Sequence, residues 1–554
     1  MIRLPERGVV PRTGVCRIVY CRIVDNMNNM SGSAAAMGYR YQPTAGSGGD
    51  QGEEHAVTQS QTIPNRTDES LNPAERAAID SVPTGLYIGG EWRETAATLP
   101  VVDPATGRTL CSVSDAGPDD GLAALEAAAN AQADWARTPP RERSEILMRA
   151  HRMLLDDADR LALIATLEMG KPLAEARGEV TYAAEFFRWF AEEAVRLDGG
   201  YMTAPAGNAR FLVARQPVGP SLLITPWNFP MAMATRKIGP ALAAGCTCVV
   251  KPAEQTPLCT LAIADILRQA GVPAGVVNVV TTSDPGALMT PMILDERSRK
   301  LSFTGSTPVG KKLLEQCAQT VMRTSMELGG NAPFIVFDDA DLDAAVEGAL
   351  AAKMRNIGQA CTAANRIFVQ RGVIDDFAQR LAARMAALPL GRGTEPDVVV
   401  GPLIDDAAVA KVTELVADAR SRGARVLLGG EPLDGPGNFY PATVLVDVPD
   451  DAQMCHTEIF GPVASLTPFD TEEEVVTRAN DTPFGLVGYV YTEGLRRGLR
   501  VCEALESGMV GLNQGVVSNP AAPFGGIKES GLGREGGLTG IDEFLETKYI
   551  GVQL

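Results

Sequence analysis

The stretch that most restricts the possible folds of this chain runs from Ser221 to Phe337. Short, largely apolar runs occur there at Ser221 to Thr225, Cys248 to Lys251, Gly275 to Val280, Lys300 to Phe303 and Pro333 to Phe337. Segments with helical apolar spacing, such as Thr256 to Gln269, separate them. A strand without a polar side has to be covered on both faces, and strands alternating with helices pair in parallel. The rhythm predicts a doubly wound α/β sheet. It resumes after Asn331, with a helix over Leu342 to Arg355, a strand at Phe368-Val369 and helices at Phe377 to Ala387 and Asp406 to Arg422. Strands follow at Arg425 to Leu428 and Ala464 to Phe469, which predicts a second α/β region. A chain of 554 residues has room for more than one core.

The flanks read differently. Residues 1 to about 80 are rich in Met, Asn, Ser, Gly, Gln and Thr with poor periodicity, the pattern of a disordered extension. Its arginines, from Arg3 to Arg22, accompany no apolar targeting core, and Met27, Met30 or Met37 is an alternative start. Order is expected from Leu86, where a strand meets the Gly89-Gly90 turn and returns, followed by a turn at Asp103 to Gly107. Helices are predicted over Gly121 to Trp135, Glu142 to Leu163 and Tyr182 to Leu197, with a Gly170 and Pro172 stop before the last. Phe211 to Arg215 reads as a strand. Lys548 to Val552 reads as an edge strand that invites a second subunit.

Composition excludes several classes of function. A net charge of −18 repels nucleic-acid phosphates, and no apolar run is long enough to span a bilayer. Ten cysteines without paired spacing are not a secreted disulfide framework, and a reducing cytoplasm fits them better. The three histidines, His55, His151 and His456, lack the spacing of a metal site or a Ser/His/Asp set, so no metal is expected.

Carboxylates, amides and a thiol therefore have to carry the chemistry. Cys361, at the end of Asn356-Ile357-Gly358-Gln359-Ala360-Cys361, is the candidate nucleophile. Asn228, in Thr225-Pro226-Trp227-Asn228-Phe229-Pro230, is fixed by two prolines and has an amide suited to a developing oxyanion. Glu327, before Leu328-Gly329-Gly330, is a candidate general base. A turn asparagine and a solvated glutamate are the alternatives. Thr304 to Gly310 follows a strand and opens a helix, a place where backbone N–H groups meet a phosphate. Lys251 and Glu254, after another strand end, suit ribose hydroxyls or form a surface ion pair.

Taken together these motifs, with Glu458-Ile459-Phe460-Gly461-Pro462, resemble the aldehyde dehydrogenase superfamily over about residues 86 to 554. The resemblance implies an α/β fold of two doubly wound parallel-sheet domains with a small β oligomerisation element. It divides the chain into a dinucleotide-binding domain at 81–334 with a hairpin excursion at 204–219, a catalytic domain at 335–529 and an oligomerisation tail at 530–554. It makes Cys361 the nucleophile, Glu327 the base and Asn228 an oxyanion donor together with the Cys361 N–H. It assigns Trp227, Lys251, Glu254, Gly305, Ser306, Gly310, Leu328, Glu458 and Phe460 to cofactor contact, the cofactor being NAD or, as an alternative, NADP.

Within the superfamily, Thr235-Arg236-Lys237, Lys353-Met354-Arg355-Asn356, Ala522 to Lys528 and Gly531 to Glu535 resemble succinate-semialdehyde dehydrogenases. That implies a semialdehyde whose carboxylate meets Arg236, Arg355 and Ser518, oxidised through a thiohemiacetal and a thioester. A homodimer or homotetramer is expected, with neither nucleic acid nor membrane as a partner. Some relatives carry a second cysteine two residues after the nucleophile, able to form a regulatory disulfide; Ala363 stands there instead. Glutarate semialdehyde is the alternative substrate, and an inactive homologue the alternative class.

Overall fold

The computed structural model of the protein describes residues 71–553. Two large sheets dominate it. The first has eight strands, and its five central ones run parallel in the order Val277–Val279, Cys248–Lys251, Ser221–Ile224, Lys300–Thr304 and Arg323–Glu327. The four of these from 221–224 to 300–304 in sequence are buried along their whole length, as their apolar runs require. The antiparallel hairpin Leu86–Ile88 and Glu91–Arg93 closes one edge, turning at Gly89 and Gly90, both with positive φ. At the other edge Gly531–Leu532 pairs antiparallel with Met326 and Glu327.

The second sheet has seven strands, in the order Arg425–Leu428, Thr443–Val446, Val463–Phe469, Ala364–Gln370, Ala332–Val336, Val487–Tyr491 and Met509–Leu512. All pairs are parallel except the first. Each sheet has its own packed core. A third, three-stranded antiparallel sheet joins Gly200–Thr203, Ala209–Pro217 and the terminal Leu545–Gln553. It leaves Tyr201, Met202, Leu212, Tyr549, Ile550 and Val552 exposed.

The structure departs from the sequence expectations in several places. Pro73–Asp80, within the segment read as disordered, is a helix begun by a capping box between Asn72 and Glu75. It is tied down because Arg392 bridges buried Glu75 and Asp103, at 3.0 and 3.1 Å. Residues 1–70 lie outside the described residues. The single helix expected over Glu142 to Leu163 is two, Pro140–Asp156 and Ala158–Met169, broken at Asp157. The helix expected from Tyr182 starts at Leu173 and runs to Ala194. The hairpin expected at 204–219 has its strands at Gly200–Thr203 and Ala209–Pro217. The tail does not stand apart from residue 530, since Gly531–Leu532 completes the first sheet and Ile541, Phe544 and Leu545 belong to its core.

Several elements escaped the periodicity, Pro230–Ala244, Pro285–Leu294, Glu472–Asn480 and Val487–Tyr491 among them. Pro230–Ala244 is a helix with every residue buried, so it has no polar side to create an amphipathic signal. It lies tightly against Leu173–Ala194: a Cβ on Gly239 would sit 3.2 Å from the Phe190 ring and 3.4 Å from the Phe186 carbonyl oxygen.

Candidate active site

In the first sheet, Ser221–Ile224 leads to Cys248–Lys251 on one side, while its neighbour Lys300–Thr304 leads to Arg323–Glu327 on the other. At such a reversal the connections diverge and leave a crevice beyond the carboxyl ends of the strands. Trp227 and Asn228 follow one of these strands, Gly305 and Ser306 the other. Glu327 ends the next strand. Five residues later the chain enters the second sheet at Ala332, so the carboxyl ends of one sheet abut the amino ends of the other. Cys361, before Ala364–Gln370, and Glu458 and Phe460, before Val463–Phe469, come from those amino ends.

Between the two edges lies a cavity of about 230 Å³. Asn228, Glu327 and Cys361 all line it. So do Trp227, Gly305, Ser306, Leu328, Glu458 and Phe460, and, toward the other end, Arg236, Arg355 and Ser518. Lys251, Glu254 and Gly310 do not. Lys251 and Glu254 lie beyond the strand Cys248–Lys251, with Nζ 3.3 Å from the Glu254 carboxylate. Gly310 packs under the wall, where a Cβ would fall 2.5 Å from a methyl of Leu328.

The loop that carries Cys361 is strained and bolted down. Asn356, Ile357 and Gly358 have φ of 53°, 61° and 74°, a left-handed run that a β-branched residue rarely adopts. Gly358 is obligatory, since a Cβ there would lie 2.1 Å from the Gly461 carbonyl oxygen. The Asn356 amide donates to the carbonyl oxygens of Asn228 and Gln359, at 3.0 and 2.9 Å, and the Asn228 amide also donates to Gln359 O at 2.9 Å. Glu175 receives the Asn356 N–H at 2.8 Å, and Gln359 Oε1 receives that of Ile404 at 3.0 Å. The two reactive loops are therefore bonded to each other.

Electrostatics separates the reactive groups by role. Burial pushes the Cys361 thiol up to about 12, against Arg236, while the charges of Glu458 and Glu327 push the same way as burial. Burial also raises Glu327 well above the usual carboxylate range, with Glu535 adding to it. Neither Glu327 oxygen has a hydrogen-bond partner among the described residues. A carboxyl group raised in this way and facing a cavity is suited to accept a proton near neutral pH. Glu458 is pushed up to about 7 by burial, although the Gly330 N–H, 3.2 Å away, and the charges of Lys411 and Lys353 act against it.

The two arginines differ. Arg236 is buried and paired with Glu535 at 2.5 Å, its guanidinium 4.2 Å from the Phe524 ring centre. Burial acts to lower its pKa, but the Glu535 charge outweighs that and holds it ionised. Lys237 shares Glu535, at 2.6 Å, so one carboxylate serves two cations. Arg355 donates to Ser518 Oγ at 3.1 Å and lies 4.9 Å from the Phe229 ring centre. No carboxylate pairs with it among the described residues. Both arginines line the cavity, Arg236 beside the carboxylate it shares with Lys237 and Arg355 beside the Ser518 hydroxyl.

Sequence reasoning missed Lys411, which reaches the cavity beside Glu458 from an amphipathic helix where a lysine reads as solvated. It also missed the apolar wall of Tyr182, Phe229, Met233 and Phe524. Phe229 and Phe524 had a signal, as parts of the Thr225 to Pro230 and Ala522 to Lys528 motifs. No group of three or more His, Cys, Asp or Glu is placed to hold a metal among the described residues, and the eight described cysteines are all free.

A thiol, an amide donor and an acceptor carboxylate around one cavity define an enzyme that forms a covalent intermediate on cysteine. The model of the aldehyde dehydrogenase family matches residues 92–550. A succinate-semialdehyde dehydrogenase of Paenarthrobacter nicotinovorans is 57% identical over 443 residues, covering 80% of this chain and 98% of the relative. A glutarate-semialdehyde dehydrogenase of Pseudomonas putida is 52% identical over 466 residues, 84% of this chain and 96% of the relative. The crystal structure of an E. coli NADP-dependent enzyme superposes with a TM-score of 0.84 at 51% identity, covering 85% of this chain and 98% of that one. The chain belongs to the aldehyde dehydrogenase family and is an oxidoreductase.

In enzyme free of cofactor, the elevated thiol makes a clear expectation. Iodoacetamide labelling of Cys361, followed by peptide mass spectrometry, should rise about tenfold per pH unit from roughly pH 7 to 10 without levelling, as the thiolate fraction does below its pKa. A plateau in the neutral range would contradict the assignment of burial as the governing influence.

Proposed function

We propose that this enzyme oxidises succinate semialdehyde to succinate with a nicotinamide dinucleotide. The observation that carries the substrate reading is Arg355: a guanidinium in the cavity, steadied by Ser518 and Phe229 and free of a protein carboxylate. A planar guanidinium stays charged when desolvated and matches a carboxylate, which makes it the receptor for the far end of an anionic aldehyde. Around the cavity Arg236, Arg355 and Lys411 outnumber Glu327 and Glu458 and add a positive field.

The chemistry follows from the residues at the other end. Cys361 gives up its proton to solvent water, and the thiolate sulfur adds to the aldehyde carbon. The carbonyl oxygen gains negative charge and is met by the Asn228 amide and the Cys361 N–H. A bound nicotinamide would supply the hydride acceptor, and loss of hydride from this carbon leaves a thioester on Cys361. Glu327 then takes a proton from a water molecule that attacks the thioester, and succinate leaves the restored thiol.

The crevice fits a dinucleotide. Ser306 stands before the helix Thr307–Ala318 with extended backbone and makes no capping bond, leaving the first turn open to a phosphate. Gly305 has no room for a side chain, since a Cβ would be 2.4 Å from the Phe303 ring. Trp227 and Phe460 meet edge to face at 5.4 Å in the cavity wall and present an apolar surface to a flat ring, with Glu458 and Leu328 also lining the cavity. Lys251 and Glu254 suit the adenosine ribose. On this reading residues 81–334 form the dinucleotide-binding unit and 335–529 the catalytic unit. The hairpin and the tail at 530–554 meet a second copy through the exposed apolar side chains of the three-stranded sheet. The free cysteines fit a cytoplasmic home, and no described helix is long and apolar enough to cross a membrane.

Glutarate semialdehyde remains the second substrate reading, carried by the relative that bears its name. One methylene is worth only about 1 to 3 kcal/mol in a pocket. Comparing kcat/KM for the four- and five-carbon semialdehydes separates the two, and a preference for the longer one would overturn the proposal.

The steps are tested by two variants. Cys361→Ala should abolish oxidation while still binding cofactor. Glu327→Gln should release a burst of reduced cofactor and then turn over slowly, because the thioester forms and waits. Turnover at the wild-type rate in either would refute the assigned role.

Removing the partner of a desolvated carboxylate costs roughly 2 to 5 kcal/mol. At about 1.4 kcal/mol per tenfold, Arg355→Ala should lose on the order of thirtyfold or more in kcat/KM on succinate semialdehyde. Butanal, lacking the charge, should lose far less. Equal losses would make Arg355 a structural residue.

For the cofactor, Glu254 sets the expectation. Its carboxylate accepts ribose hydroxyls and repels a 2′-phosphate, so NAD should be preferred, and Glu254→Ser should narrow the gap in kcat/KM. The NADP-dependent E. coli structure has the same fold, so the choice rests on side chains such as this one. Equal use of both cofactors by the unaltered enzyme would refute the preference.

A further inference from the structure

We infer that Lys171 is a positioning residue for this reaction, holding the Asn228 amide where the carbonyl oxygen becomes charged; the inference rests on Asn228 being the oxyanion donor. Lys171 is fully buried, directly after Gly170 ends the helix Ala158–Met169 in a left-handed turn with φ 92°. The ammonium donates to Glu179 Oε2 at 2.5 Å and to the carbonyl oxygen of Asn228 at 2.8 Å. It also sits 4.1 Å from the centre of the Phe229 ring. Two of its three contacts are thus to the segment Asn228-Phe229.

The partner of Lys171 works on the next residues of the same segment. Glu179 Oε1 accepts the N–H groups of Met231 and Ala232, at 2.9 and 3.2 Å, which are first-turn donors of the helix Pro230–Ala244. One ion pair therefore grips both sides of the turn. From the opposite loop, the Asn356 amide donates to the same Asn228 carbonyl oxygen. With its backbone held from two directions and one side-chain N–H engaged by Gln359, Asn228 has one amide N–H left for the cavity it lines.

A buried ion pair is a poor device for stability, because apolar residues of similar volume usually serve as well or better. What an ammonium adds is direction, through charge-assisted bonds to fixed acceptors. Here those acceptors are one carboxylate and one peptide oxygen, and the peptide is that of the oxyanion donor. Misplacing a reacting group by about 1 Å can reduce a rate on the order of a hundredfold.

A double-mutant cycle on the burst rate of reduced cofactor tests this, in the full-length enzyme with succinate semialdehyde. Lys171→Met is made together with Glu179→Gln, so that no unpaired charge is left inside. The pair variant should lower the burst rate roughly tenfold or more with little change in KM. Asn228→Ala should lower it about a hundredfold, and adding the pair variant to Asn228→Ala should lower it by less than about twofold, as expected when two changes act through one group. Equal losses from the pair variant with and without Asn228 would overturn the positioning role and leave the oxyanion donor standing. A wild-type burst in Asn228→Ala would instead overturn the oxyanion reading itself. Should the pair variant fail to fold, Lys171→Gln with Glu179→Gln restores a neutral donor to the Asn228 carbonyl. That variant should keep most of the burst rate, and a loss of tenfold or more would overturn the inference.

Discussion

The junction of the two sheets governs the rest of the molecule. Only Leu328 to Asn331 separate the last parallel strand of the first sheet from the first strand of the second. A connection that short leaves no freedom for a hinge at this crossing. It forces the carboxyl ends of one sheet against the amino ends of the other. Residues from two independently packed cores then have to share one cavity, and their loops need direct bonds across the seam to hold a fixed distance. The Asn228, Asn356 and Gln359 ring of hydrogen bonds is that lock. It supports a strained left-handed run at Asn356 to Gly358, which could not persist on its own.

Buried charge is the second organising theme. Glu168 and Glu179 each receive two backbone N–H groups at the start of a buried helix, Pro257–Gln269 and Pro230–Ala244 respectively. For Glu168, burial still wins and raises the carboxyl to about 8. Among the groups that line the cavity the sum is uneven, with Arg236, Arg355 and Lys411 against Glu327 and Glu458. The surplus is positive in a chain whose overall charge is −18. An anionic substrate is thereby favoured only inside the pocket, where low polarisability makes the interaction strong.

What the sequence made legible has a physical pattern. Parallel strands were readable because burial on both faces demands unbroken apolar runs, and Cys248–Lys251 fell at the expected residues. The helix Pro230–Ala244 was not, since full burial erases the polar side that periodicity needs. Pro73–Asp80 was hidden for a different reason: its anchor, Arg392, is more than three hundred residues away. At the site, Cys361, Glu327 and Asn228 were readable from motifs whose spacing follows strand ends. The pairing of Arg236 with Glu535, the reach of Lys411 and the grip of Lys171 depend on tertiary approach, to which no local pattern corresponds.

The order in which the chain is made gives the far end a particular meaning. Gly531–Leu532 completes the edge of the first sheet, Glu535 supplies the counter-charge of Arg236 and Lys237, and Leu545–Gln553 pairs with Ala209–Pro217. During synthesis these partners emerge some two to three hundred residues after the groups they complete. Until they do, two buried cations lack their anion and a strand lacks its neighbour. Such long-range closure is slow and comes last. A chain cut short before Glu535 therefore keeps the cysteine loop but leaves Arg236 and Lys237 without the carboxylate they share.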